Sequence, residues 1–311
     1  MIHDLLTKFR KPSVLAGGFL FLLLISLSSC VSSTQLEQTQ DSLRHQQSSY
    51  IPDSFEWQKI ENIDFAEYFF FENKNYPVRY HCIKIDLSNT NLSIVTFPSS
   101  ENDFTHKNGK ATDYFPGIRA KQFSKKYDSM LTINTAPFGG KNGKWDSIAK
   151  ITSTRRICGI HVADKTLLSQ PIENYSAVCF KKETNGYSGK IYKNQSNQDF
   201  CEYDFAFGGF FTILKDFQKL PFPLRTNDSR TALGFSEDEK TLYILVVEGE
   251  RHRQSIGLSF QECADIMLAI GAKDAMQMDG GGSTSLFINQ KNALSYPSIR
   301  KCAVFLGFKN K

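Results

Sequence analysis

No two cysteines of this 311-residue chain have CxxC spacing, and no run of His, Cys or Asp residues clusters as a metal site requires. A zinc centre is therefore not expected, and no metal or other cofactor is inferred. There is no block of like charge either. The formal net charge is +5, too mild to argue for nucleic acid. The apolar stretch VLAGGFLFLLLISL holds about 14 residues, short of what a membrane-crossing helix needs. The one glycine cluster is not followed by the lysine of a phosphate-binding P-loop. No internal repeat is evident. Nucleotide-triphosphate chemistry, nucleic-acid binding and repeat architectures are thereby set aside.

What is present begins with MIHDLLTKFRKPS, which carries Lys8, Arg10 and Lys11 ahead of that apolar stretch and the tetrapeptide Leu27-Ser28-Ser29-Cys30. A basic n-region followed by a short apolar core reads as an export signal over residues 1–29. The tetrapeptide resembles the bacterial lipobox, which would make Cys30 the lipidated first residue and the bilayer its partner. Residues 30–50, rich in Ser, Thr and Gln, read as a flexible tether. Residues 51–311 then suit one sizeable domain facing water outside the cytoplasm, anchored by lipid on the periplasmic or cell surface. ATP and NAD are not expected there. No protein partner is inferred. Six cysteines remain and allow 15 connectivities. Cys179 and Cys201, flanking a polar excursion, are the expected disulfide, and Cys263 is expected to pack as a small apolar residue.

Short strand-like runs dominate: Tyr80 to Leu87, Leu92 to Phe97, Met130 to Asn134, Cys158 to Val162, Ala177 to Phe180, Asp204 to Leu214, Thr231 to Phe235, Thr241 to Val247 and Leu286 to Asn289. TLYILVVEG is almost uniformly apolar, as a strand covered on both faces should be. Helices are expected at Tyr114 to Tyr127 and in SFQECADIMLAIG. There Ser259 and Glu262 form a capping box, and Gly271 supplies the stop. A short strand then delivers Asp279 to its end. The pattern predicts an α+β domain of extended, mixed sheets packed against helices.

Several motifs can carry chemistry. Asp279-Gly280-Gly281-Gly282-Ser283-Thr284 sets consecutive side-chain-free amides beside two hydroxyls, the composition of an anion-binding nest. Arg230 stands at the start of a strand, and a guanidinium there is suited to grip phosphate in a bidentate manner. VVEGER ends a buried strand with acids at i and i+2, so Glu248 and Glu250 are expected on one side, with Arg251 next. Glu248 and Asp279 together are a candidate carboxylate pair for glycoside hydrolysis. Asn134 and Gly209 are further strand ends flanked by glycine-rich segments. His161 reads equally as a packed core histidine or as a site member.

RTALGF, then LVVEGE, then GLSFQECADIMLAIGAKDAMQMDGGGSTSLF resemble, in that order, the phosphodiester glycosidase (NAGPA-like) family. The resemblance is densest over Asp204 to Phe287 and extends more loosely from about residue 80 to the C-terminus, where RKCAVFLGF looks like the family's closing strand. It implies hydrolysis of a sugar 1-phosphodiester at C1–O. Glu248, Asp279 and Arg230 would be catalytic. Asn134, Gly209, Glu250, Arg251 and the Gly280–Thr284 loop would hold a phosphorylated carbohydrate. Two segments depart from the family pattern. The usual Asn-Gly-Gly-Phe-Phe is here Asn134-Thr135-Ala136-Pro137-Phe138, and Asp-Gly-Arg is Glu248-Gly249-Glu250 with Arg251 one place later. A non-catalytic lipoprotein that binds phosphorylated glycans and a metal-dependent phosphodiesterase are the alternatives.

Overall fold

The computed structural model describes residues 50–139, 154–196, 198–223 and 225–311. The expected leader, Cys30, and the tether up to residue 49 lie outside the described residues, as does Gly140. Within them the protein is mostly β, with two α-helices, Ala120–Lys126 and Phe260–Ala269. The α+β expectation therefore overstates the helix content. The sheets are also antiparallel rather than mixed: strand pairs among the described residues run antiparallel whether a short turn joins them or they come together from segments distant in sequence.

An eight-stranded sheet runs in the order Gln58–Ile60, Ile63–Asn73, Val78–Asp86, Thr241–Glu248, Arg230–Phe235, Asp274–Gln277, Thr212–Lys215, Gln218–Lys219. A five-stranded sheet packs over one face: Lys291–Asn292, Leu286–Ile288, Leu131–Asn134, Phe305–Asn310, Leu92–Phe97. Another five-stranded sheet runs in the order Thr166–Ser169, His161–Ala163, Phe205–Gly208, Ala177–Lys182, Tyr187–Tyr192.

Side-chain alternation divides the core. Ile83, Ile85, Leu233, Phe235, Ile244 and Val246 face the second sheet and pack with Leu131, Ile133, Phe305 and Leu306. Their neighbours Cys82, Ala232, Leu245 and Val247 face the helix Phe260–Ala269, packing with Cys263, Ile266 and Met267. The strand Thr241–Glu248 is thus covered on both faces, as its uniform apolarity predicts. The helix begins where expected. Ser259 Oγ accepts from the Glu262 amide at 3.3 Å, and Glu262 Oε2 accepts from the Ser259 amide at 2.7 Å. Gly271 takes φ +101°, the left-handed stop.

This helix positions the site through topology. It connects Thr241–Glu248 to Asp274–Gln277 by skipping one strand, and the skipped strand, Arg230–Phe235, runs antiparallel to both. Two strands therefore end, and one begins, at the same edge of the sheet. Glu248, Asp279 and Arg230 converge there in backbone position although they are dispersed in sequence.

Other expectations are revised. The first helix covers only Ala120–Lys126, because Phe115–Pro116 pairs as a strand with Thr154–Arg155 and Pro116 supplies no amide for a preceding turn. Of the run Cys158 to Val162 only the end is strand: Thr154–Ile157 stops before it, Gly159 takes φ +105°, and the next strand starts at His161. The long run Asp204 to Leu214 divides at Gly208-Gly209. The polar excursion is itself a strand, so Cys179 is buried in a hairpin and Cys201 lies exposed. Both thiols are free, and the expected disulfide is not formed.

Candidate active site

The glycine loop is a single 3-10 turn, Gly281–Ser283, rather than a row of open amides. Gly280 N–H donates to Asp279 Oδ1 at 3.1 Å, and Gly281 N–H to the Ser229 carbonyl at 2.8 Å. The amides of Ser283 and Thr284 donate back to Gly280 and Gly281. The expected nest is therefore largely filled by the protein's own acceptors. What the glycines provide is close approach. A Cβ at Gly280 would stand 2.6 Å from the Ser229 carbonyl oxygen, and one at Gly249 2.4 Å from the Ser229 nitrogen. Ser229 is pinched between the two acid-bearing strand ends.

Asp279 is 6% exposed. Its backbone is clamped from the second sheet: its N–H donates to the Thr135 carbonyl at 2.8 Å, and its carbonyl accepts from Asn134 Nδ2 at 2.7 Å. Burial pushes its carboxyl up, and Asp228 adds to this. Hydrogen bonds from Ser283 and Gly280 and the Arg300 charge pull it down, and the balance is about 7. Arg300 Nη1 reaches Ser283 Oγ at 3.2 Å, and a Cβ on Gly282 would meet Arg300 Nη2 at 2.5 Å. Arg300 is therefore the cation at the loop.

Glu248 is 1% exposed and lies two strands away from Asp279, about 10 Å at the usual strand spacing. Burial alone would raise its carboxyl. Hydrogen bonds from His81 and from the Ser295 hydroxyl and amide outweigh that and hold it down to about 2. His81 Nε2 stands 3.1 Å from Glu248 Oε1, and the Ser295 amide donates to the same oxygen at 3.1 Å. The Ser295 hydroxyl binds Oε2. The edge thus holds one carboxyl kept ionised and one kept protonated up to near neutrality. Such a separation divides acid and base roles.

The other expected residues divide into near and far. Glu250 does not continue the alternation beyond Glu248; it takes φ +61°, is exposed, and its Oε1 lies 3.5 Å from the position of a Gly281 Cβ. Arg251 stacks on the Tyr296 ring at 4.9 Å, and the Tyr296 hydroxyl reaches Ser229 Oγ at 3.4 Å. Arg230 is turned the other way. It shares the helix-side face with Ala232, its Nε and Nη2 donate to the carbonyls of Leu258 and Thr226 at 3.0 and 2.7 Å, and its guanidinium lies 4.6 Å from the Phe260 ring. By strand alternation Thr231, not Arg230, faces Asn134. Asn134 is itself fully bonded into the fold. Gly209 packs against Met276, Met278 and the Gln277 carbonyl. His161 is a core histidine, its Nε2 2.8 Å from the Pro98 carbonyl and its ring pushed down to about 4, chiefly by burial.

Arg300, Ser295, Asp228, Arg79 and His81 were not singled out from sequence. Only His81 has a local signal, a polar residue on the apolar face of its strand with Ile83 and Ile85. Beside Asp279, burial and then the charges of Cys158 and Asp279 raise the Tyr175 hydroxyl. Cys158 also borders a cavity of about 550 Å³, lined by Arg156, Gly159, Leu168 and Ile172 among others. That volume is ample for a small-molecule ligand. Among the described residues no three His, Cys, Asp or Glu side chains are grouped to hold a metal ion.

An antiparallel fold with two oppositely poised carboxyls at one strand edge is a hydrolase-like arrangement. Residues 134–309 match the phosphodiester glycosidase (NAGPA) family, and the chain belongs to it. No curated protein matches it in sequence. In structure it is similar to a Synechocystis protein, with TM-score 0.59 and 10% identity, over 83% of this chain and 64% of that one. It spans, then, less than two thirds of that protein. It is also similar to the catalytic domain of zebrafish N-acetylglucosamine-1-phosphodiester alpha-N-acetylglucosaminidase, auto-inhibited by pro-peptide. There the TM-score is 0.55 and the identity 16%, over 83% of this chain and 89% of that one.

Proposed function

We propose that the protein hydrolyses a sugar 1-phosphodiester between C1 and oxygen, releasing the sugar and a phosphomonoester. The observation that carries this reading is the pair of carboxyls, Glu248 at about 2 and Asp279 at about 7, on one sheet edge. A phosphomonoester leaves readily, so the demand falls on charge rather than on a strong acid. Glu248, ionised, stabilises positive charge developing at C1 or activates water. Asp279, protonated below neutrality, gives a proton to the departing oxygen. Arg300, at the turn Gly281–Ser283, offsets the phosphate charge. Arg230 supports the fold behind them. The zebrafish protein's name specifies an N-acetylglucosamine 1-phosphodiester, and this class is the first to assay. Purified protein should release free sugar from it, and Glu248→Gln and Asp279→Asn should not. Binding without release, in the unaltered protein, would overturn the reading in favour of a glycan-binding lipoprotein.

The family membership leaves location open. Lipidation at Cys30, with residues 30–50 as tether, would hold the domain outside the cytoplasm at a bacterial membrane, facing envelope or extracellular glycans. Metabolic labelling with a tagged fatty acid should mark the full chain and not Cys30→Ala. A label retained by the variant would overturn the anchor.

A further inference from the structure

Besides Ser295, Glu248 is held by His81 and Arg79, which lie ahead of the family match at 134–309. His81, on Val78–Asp86, is 2% exposed among apolar neighbours. A polar ring in such a stripe costs stability unless every polar atom is partnered. Both nitrogens are: Nε2 lies 3.1 Å from Glu248 Oε1, and Nδ1 lies 2.8 Å from the Tyr68 hydroxyl.

The chemistry of the partners sets the proton positions. An ionised carboxylate only accepts, so Nε2 carries a proton. Tyr68, raised to about 12 chiefly by burial, keeps its own proton, and its hydroxyl is the partner of Nδ1. Tyr68 thereby fixes the ring orientation that aims Nε2–H at Glu248. Arg79, stacked 5.0 Å over Phe70 and paired with Glu72, brings Nε within 3.5 Å of the same Oε1. With the Ser295 amide, Oε1 faces three donor groups from two segments, the strand Val78–Asp86 and the stretch at Ser295, whereas among the described residues Oε2 receives only the Ser295 hydroxyl. One lone pair of Oε2 is left over.

We propose that His81, set by Tyr68, is the positioning residue for turnover: the two hold Glu248 Oε1 and so fix the orientation of its carboxyl. This rests on the reading of Glu248 as a working carboxylate. A purely structural cluster would tolerate replacement at some cost in stability and none in chemistry, as buried ionic groups often do. A positioning cluster loses rate, typically 10–100-fold when its outer partner is removed.

The test compares His81→Leu, His81→Gln, Tyr68→Phe and Glu248→Gln in the full chain, on an N-acetylglucosamine 1-phosphodiester. Glutamine can place an amide N–H where Nε2–H stood. The inference predicts that folded His81→Leu loses about 100-fold in kcat with KM within about threefold, and that His81→Gln regains about tenfold. Tyr68→Phe, which removes one oxygen atom, should lose about tenfold in kcat. Should His81→Leu fail to fold, Tyr68→Phe carries the decision. Normal kcat in folded His81→Leu or in Tyr68→Phe, beside an inactive Glu248→Gln, overturns the positioning role alone. Full turnover by Glu248→Gln overturns instead the catalytic reading on which it rests.

Discussion

The side-chain amide of Asn134 donates to the main-chain carbonyl of Asp279 at 2.7 Å, joining two sheets at the site. Asn134 Oδ1 accepts from Thr231 Oγ1 at 2.9 Å and from the Ser285 amide at 3.0 Å. Asn134→Ala strands three buried groups at once, each worth about 1–3 kcal/mol when left unpaired. Urea denaturation should show a loss of roughly 3 kcal/mol or more, with a matching loss of activity as Asp279 slackens. A change below about 1 kcal/mol would show that the clamp is dispensable.

Asp279 gives a pH signature of definite sign. Its carboxyl stands at about 7 in the folded protein against 3.8 for an ordinary aspartate, so the folded protein binds the extra proton between those values. Its contribution to stability is complete below about 3.8 and is lost as pH rises through 7. Activity that needs the protonated form should fall above about 7. Asp279→Asn should remove that stability slope and reduce kcat by orders of magnitude. A wild-type rate profile flat across pH 6 to 8 would contradict the acid role.

Glu248 slopes the opposite way. Held at about 2 against 4.5, it stabilises the fold above 4.5, and that contribution disappears as pH falls towards 2. Thermal unfolding of Glu248→Gln should therefore be less sensitive to acid than that of the parent. Equal sensitivity would mean that the His81 and Ser295 bonds do not set its charge.

The two arginines should separate by type of defect. Arg230→Ala loses two carbonyl bonds and the Phe260 stack, and should lower stability by roughly 2–4 kcal/mol. Arg300→Ala should leave stability nearly unchanged and raise KM by about 10–100-fold, the effect of losing a charge-assisted contact. Scanning calorimetry with initial-rate kinetics distinguishes them, and a reversed pattern would return the phosphate role to Arg230.

Glycine substitutions test the loop. Gly280→Ala drives a Cβ onto the Ser229 carbonyl, which is backbone and cannot yield cheaply, so stability should fall. Gly282→Ala meets the end of a flexible Arg300 side chain, so the arginine moves and the kinetics should mimic Arg300→Ala. Identical stability losses in both would show that Arg300 is not the group displaced.

Much of this was legible in the chain. The capping box at Ser259, the doubly covered strand ending at Glu248 and the glycine stop at Gly271 are local signals, and each appears in the fold. So does the strand that delivers Asp279. What local pattern could not show was which face each residue takes at a strand end. Arg230 reads as a phosphate ligand until its register opposite Val247 puts it on the helix side. Arg300 and His81 reach the edge by tertiary packing from segments remote in sequence. The DGGGST stretch has the composition of a nest, but its amides turn inward because Ser229 and Asp279 lie within reach.

The most direct test is hydrolysis of an N-acetylglucosamine 1-phosphodiester in oxygen-18 water, with mass spectrometry of both products. Attack at C1 predicts the label in the free sugar and unlabelled phosphomonoester. Label in the phosphate would mean that the P–O bond breaks, contradicting a glycosidase.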